Sequence, residues 1–183
     1  MKRIILAGIG AVALGTVAFA QAPAGNFDNA LAAAPANMKD GAMVIKWHAD
    51  GSYDTLRPGT NRMVCYDQSG EPSEQPFSSQ CTSVANIERV KQNKIYEAKF
   101  ADRAAREAAL TELEKNGQRA KPEYGSIFYN RSGKDMASAR AHMTIAVPGA
   151  TTQSTGLPDN NKMGGAYIMG AGTLGAHIMM PGS

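Results

Sequence analysis

At 183 residues, with a formal charge of +3, two cysteines and one tryptophan, the chain has room for one ordinary domain but not for two with cores of their own. Lys2 and Arg3 belong to a targeting segment, and without them the formal charge is +1. A near-neutral chain has no strong electrostatic pull on nucleic acid or on an anionic membrane surface, which argues against both as partners.

The chain opens with a positive head, Lys2 and Arg3, followed by an apolar run from Ile4 to Phe19 and the small-x-small sequence Ala18-Phe19-Ala20. This is the pattern of a cleaved signal peptide, residues 1–20, and it predicts a periplasmic or secreted bacterial protein whose mature form begins at Gln21. The run is short for a membrane span and no second one follows, so no integral membrane segment is expected after cleavage. Residues 21–38, rich in Ala, Pro, Asn and Gly, have the composition of a flexible leader. A single domain over residues 39–183 is expected beyond it.

Ala42 to Trp47 is the first strand candidate, and Tyr53 to Leu56 and Arg62 to Tyr66 return after the turn signals at Asp50-Gly51 and at Arg57 to Asn61. The only cysteines, Cys65 and Cys81, both fall in the exported part, where such a pair closes a disulfide. For this loop length the chain-entropy model gives roughly 3 kcal/mol. The segment between them is rich in Ser, Pro, Gly and Gln and reads as a loop.

Val84 to Lys115 has helical periodicity, with Val84, Ile87, Val90, Ile95, Ala98, Ala101, Ala105, Ala109 and Leu113 on one broad face. Asp102 and Arg106 stand at i,i+4 spacing, and Asn116-Gly117 supplies a stop, so one long helix over about 84–116 is predicted. Strands resume at Gly125 to Tyr129, Arg140 to Val147, Tyr167 to Met169 and Ala176 to Met180. A faint echo joins two of them: Ala141-His142-Met143 leads to Pro148-Gly149, and Ala176-His177-Ile178 leads to Pro181-Gly182.

Gly170-Ala171-Gly172-Thr173-Leu174-Gly175 matches the dinucleotide fingerprint, but no helix pattern and no acidic residue follow it, so it reads as a turn and no cofactor is expected from it. His142, His177 and Met179 lie in strand candidates within a methionine-rich region. Imidazole and thioether together suit a soft ion such as copper, and these three residues are the candidate metal ligands. There is no G-x-S-x-G elbow and no H-E-x-x-H, so no catalytic residue is assigned.

Two stretches carry a resemblance. Asp40-Gly41-Ala42, then Leu56-Arg57-Pro58-Gly59-Thr60-Asn61 and Cys65, and at the other end Gly165-Ala166-Tyr167-Ile168-Met169 with Ala171-Gly172-Thr173 and Ala176-His177-Ile178-Met179-Met180-Pro181, resemble a group of secreted bacterial proteins with no established activity. In that group an R-x-G-[ST]-N turn precedes a cysteine, and the chain closes on a G-T-x-x-A-H-[LI]-M strand. Here Arg62-Met63-Val64 replaces the Trp-containing stretch expected after the turn. The resemblance implies one compact exported domain and draws attention to Asn61, His142 and His177, with Asn61 as a structural turn residue.

The expected fold is therefore α+β: a small antiparallel sheet of five to seven strands crossed by one long amphipathic helix, with one disulfide. The expected function is a non-catalytic envelope domain that binds a partner protein or a small ligand. The alternatives are a periplasmic copper-binding protein using the strand His and Met residues, and an enzyme of unrecognised type with His142 or His177 as base.

Overall fold

The computed structural model describes residues 25–72 and 74–182. The expected signal peptide lies outside the described residues. Eight strands form one mixed sheet: β1 (Met43–Trp47), β2 (Tyr53–Arg57), β3 (Met63–Asp67), β4 (Phe77–Ser83), β5 (Ile127–Gly133), β6 (Arg140–Ala146), β7 (Tyr167–Met169) and β8 (His177–Pro181), in the order β2-β1-β3-β4-β5-β6-β8-β7. The helices are short: α1 (Ile87–Lys99), entered through a 3-10 turn over Val84–Asn86, α2 (Arg103–Lys115), and the single turn α3 (Thr152–Thr155).

This overturns the expected fold class, a small antiparallel sheet under one long helix, on three points. The sheet is mixed because β2 pairs with the outer edge of β1, so the chain crosses back and β3 runs parallel to β1, with Val44 opposite Cys65. The crossing is fixed by Asn61, whose Nδ2 donates to Met38 O (2.8 Å) and whose Oδ1 accepts from Met63 N (2.9 Å).

The second point is β4, expected as loop. Its serines and glutamine have low strand propensity, but each is satisfied inside the fold. Ser79 Oγ donates to Ala30 O, Ser78 Oγ donates to Glu74 Oε2, and Thr82 Oγ1 accepts from Asn86 Nδ2. Cys65 and Cys81 face each other directly across β3 and β4, Cα atoms 4.1 Å apart, and are joined as a disulfide.

The third point is the helix, which breaks at Phe100. Phe100 is extended and stacks on Tyr96, and the Asp102 carboxylate accepts from Ala105 N (2.8 Å) as the N-cap of α2. A cap of this kind stabilises a helix start by about 1 kcal/mol, so Asp102 favours a second helix here over continuation of the first. The alanine stripe beyond Phe100 is also only half-buried at best, with no fully buried residue in α2. The break lets the chain double back. Arg119 meets Gln92 and Asn93 on α1, whereas an unbroken helix would hold positions 27 residues apart about 40 Å from each other.

Each sheet face has its own cover. On one face Val90 of α1 packs on Ile45, Trp47, Val64 and Tyr66. On the other, Ala30 and Leu31 pack on Ala42, Val44, Met63 and the disulfide. Residues 27–38, read above as part of a flexible leader, are thus a structural cover. Leu31 N donates to Phe27 O (2.9 Å) and Met38 N to Pro35 O (3.0 Å), giving tight turns of small residues that lie close to the sheet. A third cluster, around Val147, Ile168 and Ala176, closes the far end.

Candidate functional site

Under α1 the sheet changes character along its width. Beneath β1 and β3 the face is apolar, but from β4 outward it carries side chains that hydrogen-bond. Cross-strand register places Tyr66, Gln80, Asn130 and His142 in one row over β3, β4, β5 and β6. Tyr66 is fully buried, which pushes its phenol well above the usual range and keeps it a donor, with Glu71 and Glu97 adding to the effect. Its Oη donates to Gln80 Oε1, and Gln80 Nε2 donates to Asn130 Oδ1 (2.5 Å). The row is an oriented chain of dipoles running from the core to Asn130, whose Nδ2 donates to Phe128 O (3.3 Å).

Above this row lies a cleft of about 400 Å³, floored by β4, β5, β6 and the start of β8, and walled by Arg89 and Asn93 of α1 and by Arg119 and Pro122 of the segment after α2. That segment is fixed at both ends. Arg89 Nη1 donates to Ala120 O (2.8 Å), Ala120 N donates to Gln92 Oε1 (2.9 Å), and Glu123 N donates to Asn86 Oδ1 (2.8 Å). The buried Asn86 amide also donates to Thr82 Oγ1 and Ser126 Oγ, tying the start of α1 to the sheet.

The two arginines set the electrostatics. Arg119 is only 7% exposed; burial, then the nearby Arg89 charge, hold its guanidinium down to about 10, and burial also lowers Arg89. Neither is in an ion pair among the described residues. Glu114 acts on both through space, but its Oε1 accepts from Leu174 N (2.6 Å). The buried Lys94 is different, since its ammonium is paired with Glu71 and lies 3.7 Å from Glu97.

His142 and His177 line this cleft together. The echo strands β6 and β8 are antiparallel neighbours, so the histidine near the start of each falls at opposite ends of their ladder: His142 pairs with Pro181 and His177 with Ala146. They share a face but stand four residues apart, roughly 13 Å along the strands. Met179 lies between them on the same face, opposite Thr144. His177 Nδ1 lies 2.8 Å from Gly175 O, a bond in which the ring donates. Burial lowers His142, and His177 lowers it further. The third histidine, His48, pairs with Asp54 (3.1 Å) at the β1–β2 turn and does not line the cleft. Among the described residues no cluster of three or more His, Cys, Asp or Glu side chains could hold a metal ion.

The Gly170 to Gly175 segment forms the β7–β8 turn, with Gly172 at φ +81° and its N–H donating to Ala150 O (2.7 Å). No described helix is long and apolar enough to cross a membrane.

Comparison with protein-family models, with curated proteins and with solved structures returns no match. The reading of the cleft therefore rests on its own geometry. Of its lining residues the sequence pointed to the two histidines alone. Arg89, Asn93 and Arg119 carried no sequence signal; the helix break after Lys99 is what brings Arg119 back to α1.

Proposed function

We propose that this is an exported, non-catalytic binding domain whose small-molecule site is the cleft between α1 and strands β4, β5, β6 and β8. The observation that carries the reading is the contrast beneath one helix. The same sheet face is packed with Ile45, Trp47, Val64 and Tyr66 at one end and opens at the other into a cavity lined by Gln80, Asn130, His142, Thr144 and His177. A concave site with a few convergent polar groups is the usual form of a ligand pocket. The disulfide and the signal-like start support an oxidising compartment.

A binding role is favoured over catalysis because, among the described residues, neither cleft histidine is hydrogen-bonded to a carboxylate that would orient it as a base. It is favoured over copper handling because ligation of one ion needs imidazole nitrogens about 2 Å from it, and His142 and His177 stand four residues apart on the ladder. The test is a ligand-observed NMR screen of small polar fragments against the purified protein and against Thr144→Phe, which fills the cleft floor. Fragments that bind the parent and lose contact in the variant support the reading. Fragments that bind both equally, or none that bind, overturn it.

A further inference from the structure

We infer that the cleft takes a small dianion, presenting a carboxylate or phosphate group to Arg89 and Arg119, with His142 and His177 beside it. The inference rests on the binding-domain reading and supplies the chemistry of its ligand.

The first ground is charge. Buried arginines are ordinarily paired, because an isolated buried charge is costly. Lys94 follows that rule through Glu71 and Glu97, while the buried Arg119 and the half-buried Arg89 face a cavity without a carboxylate at ion-pairing distance among the described residues. Glu114 offsets part of their charge from a distance, and a net positive field remains.

The second ground is donor geometry. A guanidinium has five N–H donors in a planar fork suited to carboxylate and phosphate. Arg119 directs Nη1 to Gln92 Oε1 (3.2 Å) and Nη2 to Asn93 Oδ1, which fixes its plane with donors remaining. Arg89 gives Nη1 to Ala120 O, and its Nη2 lies so close to Gly175 that a Cβ there would come within 3.3 Å of it. The absence of a side chain at Gly175 thus seats Arg89 against the backbone two residues before His177. The amides of Asn93 and Asn130 also line the space and can orient a ligand's remaining polar atoms. A cationic ligand would meet two like charges, and a neutral one would leave both uncompensated.

The experiment is calorimetric titration in a low-salt buffer free of phosphate and carboxylates. Phosphate, succinate and the neutral analogue succinamide are added to the parent protein, Arg89→Gln and Arg119→Gln, with the ligand-free unfolding temperature of each as a folding check. The expected result is one site per chain for at least one dianion, with binding weakened about tenfold or more in either folded variant and in succinamide relative to succinate. Phosphate tighter than succinate identifies a phosphoryl ligand; the reverse identifies a carboxylate. If Arg119→Gln does not fold, Arg89→Gln decides alone. Succinamide binding as tightly as succinate, or a folded variant that keeps full dianion affinity, overturns the anion assignment. So does failure of both dianions to bind, and the fragment screen then shows separately whether the cleft is a ligand site.

Discussion

Replacing Arg119 with Met separates a structural arginine from one held ready for a ligand. The side chain is 7% exposed, and burial, then the Arg89 charge, hold its guanidinium down to about 10, below the ordinary arginine range. Because the folded-state value lies below the unfolded one, the charged form is disfavoured by folding. That penalty is present in full below about pH 10 and is relieved as pH rises from there toward the ordinary arginine range. It amounts to at most about 3 kcal/mol, less where solvent at the cleft mouth screens the charge. Met removes the penalty and keeps much of the volume, but loses two hydrogen bonds from a charged donor, to Gln92 and Asn93, worth about 1.5–3 kcal/mol each. The two terms oppose, so Arg119→Met should lower unfolding free energy by less than about 3 kcal/mol in urea titrations at pH 7. A structural member of a buried charge network would cost 3–5 kcal/mol when broken. A loss in that range would show that Arg119 clamps α1 to the returning chain and would refute the reasoning.

Leu31→Ala should cost about 2–4 kcal/mol in the same assay, because Leu31 is buried against the sheet; a change below about 0.5 kcal/mol would make residues 27–38 a loose leader after all. Cys65→Ser combined with Cys81→Ser should lose roughly 3 kcal/mol relative to the oxidised parent, and the reduced parent should lose about the same. His142 has its folded-state value lowered by burial and by His177, so the unfolded chain takes up protons first as pH falls through the ordinary histidine range. Ligand-free stability should therefore decline there, and His142→Gln should flatten the decline in pH-dependent urea unfolding. Sulfate, which keeps its charge over this range, should bind more tightly as pH falls, since it favours protonated His142 alongside His177, Arg89 and Arg119; calorimetry showing affinity flat with pH would exclude His142 from contact with the anion.

Much of the sheet was legible in the sequence and the site was not, for related reasons. β1, β2, β3, β6, β7 and β8 lie within a residue or two of the runs that alternation and turn residues marked. β4 escaped because its polar residues have low strand propensity and Ser79 gains its place from Ala30, 49 residues away, which no local pattern records. The helix was misjudged because periodicity continues through Phe100, while the cap at Asp102 that favours a second helix is worth only about 1 kcal/mol. That break brings Arg119 back to α1. The histidines were found by residue type; their four-residue offset follows from the antiparallel pairing of β6 with β8, which the echo in the sequence could not orient.

The most direct test of the cleft as the ligand site is two-dimensional proton–carbon NMR of the three imidazoles during titration with phosphate and then succinate. His142 and His177 line the cleft, and His48, paired with Asp54 outside it, is an internal control. Saturable shifts of His142 and His177 with His48 unmoved are the predicted result. Shifts of all three alike, or of none with either dianion, would contradict the account.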